Sequence, residues 1–305
     1  MTATTATTAN AATPPASTAS APRRRAGQGR IDWSQPVVYV VALAVVAVAI
    51  GPVIYVFISG FRTNPDFFTD PAGMPNPWTV ENYARVLGDS SFWNQVLAST
   101  VTALGTTIGV MLLGVMAAFV IARYEFRGRG LLYALFTTGL LFPLTISILP
   151  LTVLLRQMGL FGNWWGLIVP QVAFALPLTI IILTPFLRAI PVELEDAALV
   201  DGTSRVGFFW RILLPLSMPG LMTVGVLAFV GSWNAYLLPL FVLQAGGAGI
   251  DNYTLPLGVQ FYSTAYGQDT TGVLAYTALA MLPAILFFTV AEKRIVGGLQ
   301  GAVKG

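Results

Sequence analysis

Residues 191–219 read PVELEDAALVDGTSRVGFFWRILLPLSMP, with four acids (Glu193, Glu195, Asp196, Asp201) and two arginines (Arg205, Arg211) set between two long apolar runs that hold no charge. In so hydrophobic a chain, this island is where a soluble partner would grip. Its residues predict a short helix. Pro191 suits a first helical position, where no backbone N–H is needed, and Glu193, Glu195 and Asp196 put negative charge in the first turn, where the helix dipole favours it. Ala197 and Ala198 leave little bulk, so another surface can approach the backbone, and Gly202 supplies the stop. On these features alone, a docking helix and a plain solvated loop helix are equally good readings.

Outward from this island the chain is membrane-like. It has 305 residues, of which 55% are hydrophobic and 10% charged, and its mean hydropathy is +0.74. A soluble domain of this length would carry far more charge. Six runs, at 37–59, 93–122, 131–155, 166–187, 220–243 and 270–291, are long and apolar enough to cross a hydrocarbon core of roughly 30 Å. Each is expected to be a helix, because an open strand leaves its backbone unsatisfied in lipid. The predicted class is therefore an all-α membrane protein with six transmembrane helices.

Arginine and lysine set the orientation. With the N-terminus inside, the inner segments hold Arg23, Arg24, Arg25 and Arg30, then Arg123, Arg127 and Arg129, then Arg188, Arg205 and Arg211, and finally Lys293, Arg294 and Lys304. Of the 16 basic residues, only Arg62, Arg85 and Arg156 fall outside, which predicts both termini in the cytoplasm. The sequence pI of about 9.3 follows from that bias and implies no nucleic-acid partner. Residues 1–30, rich in Thr, Ala, Pro and Ser and then basic, are expected to form a disordered cytoplasmic tail. Residues 31–305 are expected to form one transmembrane domain whose largest inner loop spans about 188–219. The first apolar run is too long for a cleaved signal peptide and reads as an uncleaved anchor.

Between the first two runs, the outer segment at 60–92 holds Pro65, Pro71, Pro75, Pro77 and a helix-like ENYARVL, and is expected to form an ordered cap. Pro143, Pro150, Pro170, Pro177, Pro185, Pro239 and Pro283 interrupt later runs, as kinks that either line a pathway or are absorbed by neighbouring helices. Trp233, Asn234 and Tyr236, in SWNAYLLPL, suit gating or ligand contact, and equally suit hydrogen bonding between helices.

The six runs contain no Asp, Glu, Lys or Arg, which argues against a proton- or ion-coupled carrier, since such carriers bind the coupling ion on intramembrane ionisable groups. The chain holds no Cys and no His, no HExxH and no nucleophile paired with a base, so no catalytic or metal site is expected. A phosphate-binding loop needs Lys followed by Ser or Thr, but Lys293 precedes Arg294 and Lys304 precedes Gly305. If the chain belongs to a pump, the motor is another polypeptide, and the 191–219 island is its natural socket.

That island also carries a spacing. Asp196-Ala197-Ala198 is followed by three residues and Gly202, then by nine residues and Ile212-Leu213-Leu214-Pro215. This resembles the signature of the permease subunits of bacterial ATP-binding cassette importers: Glu-Ala-Ala, three residues, Gly, nine residues, Ile-x-Leu-Pro. Asp196 stands where that family usually has Glu, with Glu195 beside it. The segments SWNAYLLPL, TLPLGVQFY (254–262) and IVGGLQGAVKG (295–305) are similar to carbohydrate-importer permeases of the maltose-transporter type, so the resemblance spans about 37–305.

The resemblance implies a type I importer in the bacterial cytoplasmic membrane, with a second homologous permease, an ATPase dimer inside and an extracytoplasmic solute-binding protein. Glu195, Asp196, Ala197, Ala198, Gly202, Ile212, Leu214 and Pro215 would then be the ATPase-coupling residues. No cofactor is expected in this chain; ATP and Mg would be bound by the partner ATPase. The solute would be a sugar, with a phosphorylated polyol, a peptide or a polyamine as alternatives, and a channel outside the family as the remaining one. Gly297, Gly298 and Gly301 are expected to make a flexible tail able to reach the motor.

Overall fold

The computed structural model describes residues 36–265 and 269–302; the expected disordered head, 1–30, and residues 303–305 lie outside them. Met1–Val48 and Ala49–Gly305 are separate compact units. The described residues form helices α1 to α14 and no strand. Helix α1, Pro36–Ser59, has exposed apolar side chains from Val37 to Tyr55, as suits a helix whose solvent is hydrocarbon.

A cap follows, made of α2 (Asn64–Thr69) and α3 (Glu81–Gly88). Its centre is Arg62, fully buried. Its guanidinium donates to the Asp66 carboxylate at 2.6 Å and to the carbonyls of Asp66, Asp70, Pro71 and Gly73. One charge thus organises the proline-rich loop that the sequence marks as ordered. Asn82 donates to the carbonyls of Gly60 and Arg62, and the Tyr83 hydroxyl to that of Phe57 at 2.6 Å. Burial pushes the Tyr83 phenol up to about 12, so it remains a donor.

Helix α4, Ser90–Arg123, has 34 residues, about 51 Å at 1.5 Å per residue, longer than a bilayer core. It packs against α7, Trp165–Arg188, through small residues. A Cβ on Gly105 would meet Ile168 at 2.9 Å, one on Gly109 would meet Val172 at 2.7 Å, and one on Gly114 would run into Thr179. Glycine at these positions lets the two backbones close up, which matters where lipid offers no hydrophobic drive for helix association. The same helix carries buried Gln95, Ser99, Thr102 and Thr106 at spacings of four, three and four, a polar ladder down one face.

Four helices, α1, α4, α7 and α14 (Thr270–Ala302, through Thr289), are long and apolar enough to cross a membrane, and two bent pairs raise the number to six if each counts as one span. The third and fifth apolar runs are thus not the single helices the sequence predicts. The third comprises α5 (Arg129–Gly139) and α6 (Leu144–Gln157), turned by 102°. Pro143 has no N–H for the Gly139 carbonyl, which Phe142 takes instead at 3.2 Å, tightening the chain into a corner. The fifth run begins earlier, with α9 (Arg205–Phe208), a π turn at Phe209–Leu213 and α10 (Leu214–Leu216), and then bends by 75° into α11, Met218–Trp233. Buried Ser217 sits at the corner, its hydroxyl on the Leu213 carbonyl at 2.6 Å.

Beyond α11 the run breaks at residues 234–236, where Pro239 offers no N–H to the Ala235 carbonyl. It resumes as α12 (Leu237–Pro239) and a second π turn, Leu240–Gln244. α13, Leu255–Ala265, then leads towards α14. The glycine-rich stretch at 297–301, expected to be a flexible tail, instead continues α14 as helix to Ala302. Glycine lowers helix stability by about 1 kcal/mol, but extending an existing helix needs no new nucleus.

Candidate docking loop and pathway cavity

The 191–219 island folds into α8, Glu193–Val200, with Glu193, Glu195 and Asp196 in its first turn. Pro191 lies ahead of the helix, whose hydrogen bonds begin at the Val192 carbonyl. The C-terminal end is a complete Schellman motif. Thr203 N–H donates to the Ala198 carbonyl at 2.9 Å and Gly202 N–H to the Leu199 carbonyl at 3.0 Å, with Gly202 at φ +80°. Nothing lies within 4 Å of a Cβ built on Gly202, so it is the left-handed backbone, and no crowding, that calls for glycine there. Ser204 then caps α9 by accepting from Gly207 N–H at 3.1 Å.

The two alanines part company. Ala198 is buried in a core cluster with Phe119 of α4, Leu187 of α7, Phe208, Leu213 and Leu221 of α11, whereas Ala197 is exposed. Adjacent helical residues point about 100° apart, so only Ala197 offers a close approach to a partner. The acids divide in the same way, Glu195 buried and Asp196 exposed. Exposed Leu194 and Val200 join Ala197 outward; residue type alone does not mark them. Ile212 and Leu214 pack against the same cluster, and Pro215 is exposed.

An aromatic train ties this loop to α4. Arg205 lies over the Tyr124 ring at 5.3 Å, Tyr124 meets Phe119 edge-on at 5.4 Å, and Phe119 meets Phe209 of the first π turn at 5.2 Å. Burial pushes the Tyr124 phenol up and the Glu195 charge adds to this, partly offset by Arg205. Arg123 donates to the Ile190 carbonyl at 2.8 Å, pinning the entry to the loop. Helix α8 is thus fastened at its entry by Arg123, in its middle by Ala198 and at its exit by Phe208.

The other candidates, Trp233, Asn234 and Tyr236, sit at the break after α11 and face two different spaces. Trp233 stacks on Phe229 at 5.6 Å and belongs to the α11–α14 core; with exposed Asn234 it borders a cavity of about 280 Å³. Tyr236 borders a separate cavity of about 450 Å³ between α4, α7 and α11, whose polar lining is Thr106, Gln171, Ser232 and Tyr236. Thr106 hydroxyl donates to Gln171 Oε1 at 3.1 Å. Gln171 was not among the sequence candidates; the available signal was a lone amide amid an otherwise apolar run, IVPQVAFALP.

Spanning helices interrupted by a capped, charged helix that is seated on their core define a multi-pass membrane protein. Residues 110–297 match the family described as the binding-protein-dependent transport system inner membrane component, and the chain belongs to that family, the permease subunits of ABC transporters. It is 35% identical to the diacetylchitobiose uptake system permease protein NgcG of Streptomyces coelicolor over 255 residues, 83% of each chain. It is 36% identical to the trehalose transport system permease protein SugB of Mycobacterium tuberculosis over 264 residues, 86% of this chain and 94% of the relative. Its fold is similar to that of a bacterial ABC transporter involved in the import of the acidic polysaccharide alginate, with a TM-score of 0.70 and 20% identity over 87% of this chain and 99% of that one.

Proposed function

We propose that the chain is one half of the membrane pathway of an ATP-driven carbohydrate importer in the bacterial cytoplasmic membrane, with both termini inside. The observation that carries this reading is the Schellman-closed helix α8, which turns Asp196 and Ala197 outward while Ala198 stays in the core. A groove on a separate ATPase would receive the outward face of α8, and a solute-binding protein would deliver sugar to the outer cap. The names of two relatives, for diacetylchitobiose and trehalose, support a sugar as solute.

ATP and Mg belong to the ATPase, and this chain does no bond chemistry. Closure of the ATPase dimer would move α8, with Glu195, Ala198 and Gly202 keeping its shape. Ile212, Leu214 and Pro215, between the first π turn and the Ser217 corner, would pass the motion into α11. The break holding Trp233, Asn234 and Tyr236 would then shift along the pathway. The exposed apolar sides of α5 and α6, including Leu131, Leu135 and Ile146, would face lipid and a second homologous permease.

Copurification tests this directly. A tagged chain expressed with its neighbouring transport genes is expected to bring down an ATPase and a second permease, and the reconstituted complex to import sugar only with binding protein and ATP. A homo-oligomeric pore that conducts without ATP contradicts it.

A further inference from the structure

Where the end of α4 meets α9 and the first π turn, the surface holds a groove of about 230 Å³. Helix α4 contributes Met116, Phe119 and Val120, which share one helix face, and the opposite wall is Val206, Phe209 and Trp210. Phe119 and Phe209, 5.2 Å apart, are buried and make the floor, whereas Met116, Val120, Val206 and Trp210 are exposed along the sides. From Met116 to Tyr124 the groove follows α4 for about 12 Å at 1.5 Å per residue. Its polar groups gather at one end, where Tyr124 closes α4 and Arg205 opens α9.

The Arg205 guanidinium lies over the Tyr124 ring at 5.3 Å. A cation seated on a ring face spends none of its N–H donors, which lie in the guanidinium plane. Arg62 and Arg85 pair with Asp66 and Asp269, but exposed Arg205 has no ion pair or hydrogen bond among the described residues, and the Tyr124 hydroxyl has no hydrogen bond among them either. Arg123, one residue before Tyr124, adds a second charge and hydrogen-bonds the Ile190 carbonyl. Glu195, whose charge reaches Tyr124, is buried and pairs with neither arginine, and Glu125 is followed by Arg127 and Arg129. The polar end of the groove therefore keeps an excess of positive charge.

We propose that this groove binds one anionic phospholipid of the leaflet on the α8 side, with Arg205 and the Tyr124 hydroxyl donating to its phosphate and an acyl chain lying over Phe119 and Phe209. Charge complementarity selects the occupant. Basic recesses between membrane helices bind anionic headgroups, and the planar fork of arginine matches phosphate, while a soluble anion would leave the apolar length of the groove uncovered. Trp210, exposed beside Phe209, suits the level between headgroup and chain where indole rings sit. Phe119 and Phe209 also belong to the cluster that seats Ala198, so a bound lipid braces the seat of α8. The site is independent of the solute carried and of the side of the membrane on which α8 lies.

The test uses the full chain, with the subunits that copurify with it, in phosphatidylcholine vesicles containing a minor share of phosphatidylglycerol. Either lipid in turn carries a photoactivatable acyl chain, and adducts are mapped by mass spectrometry. Phosphatidylglycerol is expected to label residues 116–124 and 205–210 about fivefold above phosphatidylcholine at equal mole fraction, the gain that attraction to one arginine gives. Arg205→Ala should bring labelling down to the phosphatidylcholine level, with Arg205→Lys in between, and Arg127→Ala, exposed and outside the groove, should leave it unchanged. Unlabelled phosphatidylglycerol should compete for the adducts in the wild type and inorganic phosphate should not; this comparison decides alone if Arg205→Ala fails to assemble. Equal labelling by the two lipids marks ordinary boundary lipid and overturns the site, as does wild-type labelling in Arg205→Ala. Adducts confined to other segments mean that a protein surface covers the groove and overturn it too, and competition by inorganic phosphate overturns the lipid in favour of a soluble anion.

Discussion

The backbone N–H of Thr203 donates to the carbonyl of Ala198 over 2.9 Å, and this bond sets the angle between helix α8 and the chain that continues into α9. It forms only because Gly202, between them, takes a left-handed backbone at φ +80°.

Substitution of Gly202 should therefore grade by backbone preference. Asn or Asp tolerates the left-handed region, Ala there costs about 1 kcal/mol, and a β-branched residue costs more. ATP-dependent uptake is expected to fall in the order Asn, Ala, Val with equal membrane insertion. Asp adds a charge test at nearly the same backbone cost. Full uptake by Gly202→Val would falsify the turn's role in coupling.

The neighbouring alanines should respond in opposite ways. Ala198→Leu overpacks the buried cluster with Phe119, Leu187 and Phe208 and is expected to cost about 1–3 kcal/mol, read as a lower thermal midpoint of the solubilised subunit. Ala197→Leu lies on the exposed face and should leave that midpoint unchanged while weakening ATPase capture several-fold. Equal effects of both on stability would contradict the division of faces.

At the α4–α7 contact, Gly109→Ile puts its branch into Val172, which already lies 2.7 Å from the position of a Cβ. A loss of about 1–3 kcal/mol is expected, with proteolysis between α4 and α7 as the readout. Gly88→Ile, where a Cβ meets open space, is the control and should fall within about 0.5 kcal/mol.

The cap of α2 and α3 should weaken in acid. The hydrogen bond from Arg62 holds the Asp66 carboxyl below its ordinary 3.8. Burial pushes Asp269 up, but hydrogen bonds from Asn64 and the Gly272 N–H, with the nearby charge of Arg85 at 2.5 Å, outweigh it and leave Asp269 below 3.8 as well. A lowered folded value means that the unfolded cap binds more protons. The stability these groups add is then present above 3.8 and lost as the pH falls through their folded values. Trp78 fluorescence should hold steady from about pH 7 to 5 and change below 3.8, with a smaller change in Asp269→Asn. A transition near neutral pH would contradict this assignment.

Much of this was legible in sequence because lipid forces it. The charge-free runs and the spacing from Asp196 to Pro215 are one-dimensional signals, and α4, α7 and α8 fall within a few residues of their predicted limits. What stayed hidden depends on neighbours. Pro143 kinks or corners a helix according to what packs behind it, and Ala197 and Ala198 are the same letter until a core exists to bury one of them. Gln171 reads as an isolated amide until Thr106, 65 residues earlier, meets it across the α4–α7 contact.

The ladder on α4 has a consequence for how the chain is made. Gln95 reaches its partners, the Ile250 carbonyl and the Tyr276 hydroxyl, and Ser99 accepts from Leu255 N–H at 2.7 Å; all three lie more than a hundred residues downstream and leave the ribosome later. Thr100 and Thr107 meanwhile bond back to their own helix, but Gln95 and Ser99 wait. The upper rungs of the ladder, Gln95 and Ser99, therefore meet their partners only once the segments that carry Ile250, Leu255 and Tyr276 have been made.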